Sequence, residues 1–595
     1  MTTYSAPLRD ISFVLHELLN IGQFSHIVPF EATTLPIVDT ILTGAAKLCE
    51  QVLFPLNRSG DEEGCHFENG VVRTPAGFRD AYRTFTEGGW TSLACDPAFG
   101  GQGLPEVLNF ALAEMACSSN LAFYTYPALS HAAYILVSAH GSDDIKRAFL
   151  PRLVDGRWSS TMCLTEPQCG SDLGLIRTKA QPQSDGRYKL SGTKIFVSGG
   201  DHDLTENIVH LVLARLTEAP LGTKGLSLFL VPKFLVKSDD SLGPRNGVSC
   251  GSIEKKMGIK ASATCVMNFD DATGYLIGKK HRGLHCMLTM MNIARLTVGM
   301  QGLALAETAY QSARAYARER PQGRATSGDQ SPDRPADPII VHPDVRRMLL
   351  TMKAYNEGAR ALVYWVALHV DLSRHHPDPQ ARQEAEDLVQ LMTPVVKSFF
   401  TDYGFEATNL GLQIFGGHGY IREHGMEQLV RDARIGQLYE GTNGIQALDL
   451  VRRKLVVNSG RMLRSFFDSI DRFINEHKDQ TQLREFTLPL AKAFAKLKQV
   501  TAWIVNQGAK DPQEAAAAAS DYLRLFALVA LGSTWAKIAR VSYAALDNTG
   551  EKQFYEAKIA TARFYMRRLL PQTSSLVRAI TSGSKPIMEF DAEAF

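Results

Sequence analysis

The chain has 595 residues, with 64 Lys and Arg against 62 Asp and Glu, and is 45% hydrophobic and 21% charged. Such proportions exclude a disordered, collagen-like or disulfide-scaffold chain, and at roughly 100 to 200 residues per domain they call for several packed units. A net charge of +2 offers no general attraction to nucleic acid or to an anionic membrane.

The N-terminal part reads as helical. Residues 15–19 and 37–53 set apolar side chains three and four apart, and a Gly/Pro-punctuated loop, DPAFGGQGLP at 96–105, interrupts the pattern. From about 161 to 280 the period shortens to alternating runs such as YKLSGTKIFVS (188–198) and IVHLVLA (208–214), bounded by Gly, Asp and Asn. That segment predicts a domain of antiparallel strands. From about 283 long helical stretches return (284–320, 344–372, 383–409), separated by exposed connections at 321–343 and 373–380. A further helical block follows residue 456, with an alanine run at 515–519 that favours helix. The expected fold is α+β and mainly α. Its parts are an N-terminal helical domain (1–160), a central antiparallel β domain (161–280), a C-terminal four-helix bundle (281–455) and an additional helical domain (456–595).

The nine cysteines contain no CxxC pair and all precede residue 290, which reads as reduced thiols in a reducing compartment. The first residues, MTTYSAPLRD, have neither the basic and apolar regions of a signal peptide nor the Arg/Ser-rich character of a transit peptide. The C-terminal apolar run between Arg524 and Lys537 is shorter than the ~18 to 20 residues that span a bilayer. A cytoplasmic location is expected, with no integral membrane segment, no nucleic acid partner and no metal.

Four strings carry chemistry. MCLTEPQCGSD (162–172) offers hydroxyls and backbone N–H groups in a tight turn, which suits a phosphate or a heterocycle edge; alone it is equally a helix-to-strand turn. LSGTKIFVSGG (190–200) puts Phe196 and Ser198 on one strand face, an aromatic ring beside a hydroxyl, or simply a core Phe near a strand end. GLQIFGGHGY (411–420) is dense in glycine, which permits close backbone approach to a ligand or makes a helix C-cap. In RDARIGQLYEGTNGIQ (431–446), Glu440 lies in an apolar, Gly-rich stretch with glycines at 436 and 444. A carboxylate in a desolvated cleft is a usable base toward a carbon acid, whereas a solvated loop Glu is the commoner fate.

Taken together and in this order, LTEPxxGSD, SGTKIFVSGG, QIFGGHGY and RDARIGQLYEGTNGIQ, with KMGIK (256–260) and NIAR (292–295) between them, resemble the acyl-CoA dehydrogenase superfamily over residues 35–455. The APLRD opening, the LTEPQCGSD spelling and the C-terminal extension resemble its long branch, which includes methylthio-acyl and fatty acyl-CoA dehydrogenases.

The resemblance implies an FAD enzyme that converts an acyl-CoA thioester to a trans-2-enoyl-CoA. Glu440 matches the family's base, which removes the pro-R α-proton while the β-hydrogen leaves as hydride to flavin N5. The thioester oxygen is then held by the Glu440 backbone N–H and a ribityl hydroxyl, an arrangement that stabilises enolate charge. Some members carry the base immediately before the helix Arg, but that position here is Ala294. The family pattern puts Met162, Cys163, Leu164 and Thr165 at the flavin edge, and Phe196, Val197 and Ser198 behind the ring. Arg320, Gln322, Gln413, Gly416 and Gly417 match residues that reach the FAD of a neighbouring subunit, which implies at least a dimer. Thr442 and Asn443 match adenosine-side contacts, and Ser171, Arg295 and Gly441 match acyl-CoA contacts; Arg295 also reads as a buried, structurally paired arginine. Gly323, Pro343 and Gly444 depart from the family pattern at the adenine end. Electron-transfer flavoprotein is the implied acceptor.

Two other readings belong to the same superfamily. An acyl-CoA oxidase would pass electrons to oxygen. A DNA-associated flavoprotein would need a strongly basic C-terminal patch, whereas residues 456–595 hold 19 basic against 14 acidic side chains. A block this apolar must bury a face, and the expectation is that it covers the CoA-side cleft or a subunit contact.

Overall fold

The computed structural model describes residues 2–239, 241–546 and 550–595. They divide into two compact units, 44–297 and a second made of 1–43 with 298–595.

In the first unit a long helix, α1 (Glu106–His140), follows the glycine loop. The main sheet comprises β1 (Trp158–Cys163), β2 (Lys179–Pro182), β3 (Tyr188–Ser198), β4 (Asn207–Leu216), β5 (Leu226–Pro232), β6 (Val248–Ile253) and β7 (Thr264–Ile277). Strand β7 pairs with β6, β3 and β5, and β4 pairs with β5, β2 and β1. With β2 beside β3, the ladders close on themselves. The expected antiparallel pattern holds except for β4, which runs parallel to both β1 and β2. The exception has a physical cause: the IVHLVLA run is buried along nearly its whole length, as a strand flanked on both edges and covered on both faces requires. Val197, Leu190, Val212, Phe229, Cys265 and Met267 fill the interior. A small hairpin, His66–Glu68 with Val71–Arg73, interrupts the N-terminal helices; its strands are too short to show a period.

Helix α2 (Gly283–Glu319) passes from the first unit into the second. There α3 (Pro343–His375) and α4 (Pro379–Phe415) join it, and two short helices, Met426–Arg434 and α5 (Asn443–Asp449), pack on α4, so the bundle has three long members and two short ones. The connection expected over 373–380 shrinks to three residues, because α3 runs on to His375 and Asp378 caps α4 through the Gln380 N–H at 2.9 Å. Helices α2 and α4 cross backbone to backbone. A Cβ at Gly302 would stand 2.2 Å from the Phe400 carbonyl oxygen, and one at Gly404 2.5 Å from that of Gly302, so only glycine fits either position. Between α2 and α3 the buried Glu307 carboxylate accepts from Arg360 at 3.2 Å and Asn356 at 3.1 Å.

The C-terminal extension forms α6 (Arg461–His477), α7 (Arg484–Lys510), α8 (Pro512–Ala545) and α9 (Lys552–Phe564). Much of its apolar surface packs within its own chain, against α3, α4 and α5. Trp535 on α8 is fully buried and donates to the Ala354 carbonyl at 2.9 Å, and Arg461 forks onto Asp387 at 2.5 and 2.9 Å. By length and composition α8 is apolar enough to cross a membrane, yet 72% of that window is buried inside the protein, as in a core helix. The first residues pack here too. Phe13 stacks edge-on to Phe554 at 5.7 Å, and Arg9 donates to Glu551 and Tyr555.

Lys558 ties these parts together, meeting Asp10 of the N-terminal segment and, at 3.0 Å, Glu357 of α3. Burial would raise the Asp10 pKa, but Lys558, Arg360 and Lys353 hold it below the ordinary carboxylate range. Lys558→Met removes the cation shared by the buried Glu357 and the partly buried Asp10 and leaves Glu357 to Lys353, and should cost about 1 to 3 kcal/mol. A lower urea midpoint at unchanged slope is the expected result.

Candidate active site

The residues singled out from the sequence fall into both units. Met162 to Thr165, Ser171, Phe196 to Ser198 and Arg295 belong to the first; Arg320, Gln322, Gln413, Gly416, Gly417 and Glu440 to Asn443 belong to the second.

In the first unit, β1 ends at Cys163 and the LTEP string turns back on itself, Glu166 and Cys169 exchanging backbone hydrogen bonds at 3.0 Å. The adjoining β3 carries a bulge. Val197 pairs with Cys265 but Lys194 pairs with Met267, so one extra residue is inserted around Ile195 and Phe196. Bulges re-aim side chains. Here Phe196 takes a left-handed φ of 56° and presents its ring 60% exposed, while Val197 is buried and Ser198 half-buried. A non-glycine residue in that region costs about 1 to 3 kcal/mol, so the bulge holds an apolar ring out to solvent at an energetic cost.

Two residues that the sequence reasoning passed over hold this turn. Lys194, fully buried, donates to the Leu164 carbonyl at 2.9 Å and to Glu166 at 2.8 Å. Glu166 also accepts from the Arg177 and Thr178 N–H groups and from the Thr178 hydroxyl. Burial would raise the Glu166 pKa, but Lys194 and these donors bring it down to about 2. Lysine amid the apolar positions of GTKIFV was the available signal; its partner, distant in sequence, was not. Ser171 is exposed, and the half-buried Arg295 donates to Asn292 at 3.3 Å.

In the second unit, Glu440 has φ 57° and Gly441 φ 81°, two successive left-handed residues just before α5. The loop is anchored at several points. Tyr439 donates to Gln301, the Glu440 carbonyl accepts from Gln446 at 3.1 Å, and Thr442 caps α5 through the Ile445 N–H at 3.3 Å. Lys397, fully buried on α4, donates to the Gly441 carbonyl at 2.8 Å and to Asn443 Oδ1 at 2.7 Å. The Asn443 amide donates in turn to the Ser398 carbonyl, Thr401 and Asp402. Asn443 is thus engaged in anchoring the loop. The Glu440 carboxylate is half-buried, its Oε2 shielded from solvent.

Gly416, at φ 59°, and Gly417 follow α4 with open space where a Cβ would be. Exposed Arg320 and Gln322 open a loop pinned by Asp337: Gln322 and Asp337 pair at 2.9 Å, and the Asp337 carboxylate takes the N–H groups of Ala325, Gln330 and Ser331. The departures at the adenine end have local reasons. Gly323 makes a left-handed turn at φ 70°, Pro343 opens α3, and Gly444 lies exposed in the first turn of α5.

The chain matches the acyl-CoA dehydrogenase N-terminal domain over residues 39–157, the middle domain over 161–272 and the C-terminal domain over 281–455. A fourth match, acetyl-CoA dehydrogenase C-terminal like, covers 466–591. It is 42% identical to the 3-methylmercaptopropionyl-CoA dehydrogenase of Ruegeria pomeroyi, across 98% of this chain and 99% of that one. The chain belongs to the acyl-CoA dehydrogenase family. It is an oxidoreductase acting on acyl-CoA, and a flavoprotein of the FAD type. Other acyl-CoA dehydrogenase relatives include the broad-specificity linear acyl-CoA dehydrogenase FadE5 of Mycobacterium tuberculosis, 34% identical over the full length of both chains. Caenorhabditis elegans ACDH-11, solved with C11-CoA, shares the fold at a TM-score of 0.81 and 19% identity, covering 99% of this chain and 95% of that one.

The residues present fit a flavin. The first unit offers the solvent-facing Phe196 ring with the Ser198 and Thr165 hydroxyls, and the second offers the Gly416–Gly417 backbone without side-chain cover and, on a separate loop, the exposed Arg320. Phe196→Gly separates function from stability, because the strain leaves with the ring. We expect the flavin-to-protein absorbance ratio to fall while the melting temperature of the flavin-free protein holds or rises.

Proposed function

We propose that this chain carries out α,β-dehydrogenation of an acyl-CoA thioester, giving the trans-2-enoyl-CoA, with Glu440 as the base. The observation that carries the reading is the backbone of Glu440 itself: a glutamate in a left-handed conformation, half-buried and anchored from two helices. Strain of this kind persists where the surroundings over-determine it, and it collects at active sites.

FAD, when bound, supplies the acceptor for the β-hydrogen and its electron pair. The Glu440 carboxylate takes the α-proton. The Glu440 N–H donates to the thioester oxygen as negative charge develops there, a contact that grows stronger along the reaction coordinate. Lys397, Tyr439 and Gln446 fix the loop so that the carboxylate does not have to be ordered during the reaction. Phe196 and Ser198 hold the flavin ring by stacking and hydrogen bonding, and Met162 to Thr165 line its edge. Ser171, Arg295 and Gly441 contact the acyl-CoA. Arg320, Gln322, Gln413, Gly416 and Gly417 serve the cofactor's diphosphate and adenine ends across a homodimer.

The substrate class is a linear acyl-CoA, with a methylthio-propionyl thioester the first to try, since the Ruegeria relative bears that name at 42% identity. Electron-transfer flavoprotein is the proposed acceptor and the cytoplasm the proposed compartment; the nine cysteines are all free thiols.

The test is anaerobic addition of acyl-CoAs, from propionyl to palmitoyl with the methylthio-propionyl ester, to the flavin-loaded protein. One chain-length class should bleach the flavin band, and Glu440→Gln should slow that bleaching by roughly 10²- to 10⁴-fold. Bleaching at an unchanged rate in the variant would remove Glu440 from the mechanism.

A further inference from the structure

A second cavity, of about 560 Å³, opens in the unit formed by 1–43 and 298–595. None of its lining residues belongs to the loop around Glu440 or to the proposed flavin contacts. Its walls come from the N-terminal segment, α3, α6 and α8, and their apolar part is formed by Leu18, Phe24, Leu362, Leu368, Phe466 and Phe473. The volume lies in the roughly 300 to 1,000 Å³ range of small-molecule sites.

Polar groups share this lining with the apolar ones, and those on α8 are Ser533, Thr534, Lys537 and Arg540. Ser533 and Lys537 stand one turn apart on one helix face. The Ser533 side chain is 3% exposed, lines the cavity, and its hydroxyl has no hydrogen-bond partner among the described residues. The large majority of buried hydroxyls have a hydrogen-bond partner. Lys537 makes no hydrogen bond or ion pair among the described residues; its nearest favourable neighbour is the Trp365 ring, 5.3 Å from the ammonium. Burial, with the nearby Arg540, brings the Lys537 pKa down to about 8. The half-buried Lys537 ammonium thus stands in the cavity wall without a counter-ion among the described residues. The other titratable groups facing it do not supply one. His369 uses Nδ1 on the Trp365 carbonyl at 2.8 Å and is held neutral by burial, its pKa at about 4. His477 stacks on Phe473, and the exposed Glu476 makes no ion pair with Lys537.

We propose that this cavity is a binding site for a long-chain fatty carboxylate, its headgroup on Lys537 and Ser533 and its alkyl chain along the apolar walls between α3, α6 and α8. One anion is what the wall calls for. A neutral lipid would leave the ammonium uncompensated, and a CoA ester, with several phosphates, would find Lys537 and the exposed Arg540 in a lining that also holds the exposed Glu476. The site is independent of the reaction proposed at Glu440.

The experiment is calorimetric titration of dodecanoate into the flavin-loaded, full-length protein, with 1-dodecanol as the probe lacking the charge. Saturable binding of dodecanoate is expected, tighter than that of dodecanol. Lys537→Met should weaken dodecanoate about tenfold or more while leaving dodecanol unchanged, and Lys537→Arg should retain it, which separates loss of charge from loss of fold. Ser533→Leu, which extends an apolar side chain into the cavity, should weaken both probes. Acyl-CoA-dependent flavin bleaching should be unaffected in all three variants. No saturable binding, or dodecanoate binding that survives both Lys537→Met and Ser533→Leu, would overturn the proposal and place any bound fatty acid elsewhere, including the acyl-CoA site.

Discussion

A buried lysine that donates to a loop carbonyl is the interaction on which the candidate site depends, and each unit has such a lysine. Lys397 takes the Gly441 carbonyl beside the left-handed Glu440; Lys194 takes the Leu164 carbonyl beside the strand that carries the left-handed Phe196. An ammonium without solvent must be satisfied by whatever acceptors its surroundings present. Here those acceptors include the backbone of the very loops that carry the proposed chemistry. If either loop relaxed to an ordinary conformation, its lysine would lose a carbonyl inside the protein interior, so strain in the loop and desolvation of the lysine oppose one another. This makes a rigid presentation of a carboxylate and of an aromatic ring, without a metal or a disulfide among the described contacts of either loop.

The helical parts supply the ground on which those lysines stand. The backbone contact at Gly302 and Gly404 sets α2 close against α4, and Lys397 lies on α4 within two turns of that crossing. The C-terminal extension then closes the outer side of the bundle through Trp535, Arg461 and Lys558. Stability and site geometry are thus linked through one set of helices, while the loop residues themselves bury little apolar surface.

Much of this was legible in the sequence, for reasons that can be named. Long helices announce themselves by period, and α2, α3 and α4 lie where the period put them. The motif strings located Phe196 and Glu440, and the family match rests on those same segments. What could not be read was pairing over distance. Glu166 with Lys194, Lys397 with Gly441, and Asp10 with Lys558 join residues whose local contexts are silent about one another. The left-handed backbone was illegible for a related reason: Phe and Glu do not favour it, and only the tertiary contacts hold them there. The parallel strands beside β4 were hidden because a run buried on both faces has the same composition in either direction. The packing of the N-terminal segment onto α9 rests on Arg9, Asp10 and Phe13, ordinary residues of a short helix.

The most direct test of this account is a double-mutant cycle between Lys397→Met and Glu440→Gln, reading the rate of flavin bleaching by acyl-CoA at a temperature where every variant is folded. If Lys397 acts by positioning the base, its substitution slows the wild-type protein by about ten- to a hundredfold and adds little once Glu440 is gone. An equal slowing in both backgrounds would contradict the account, leaving Lys397 a general structural residue and the strained glutamate without the support assigned to it.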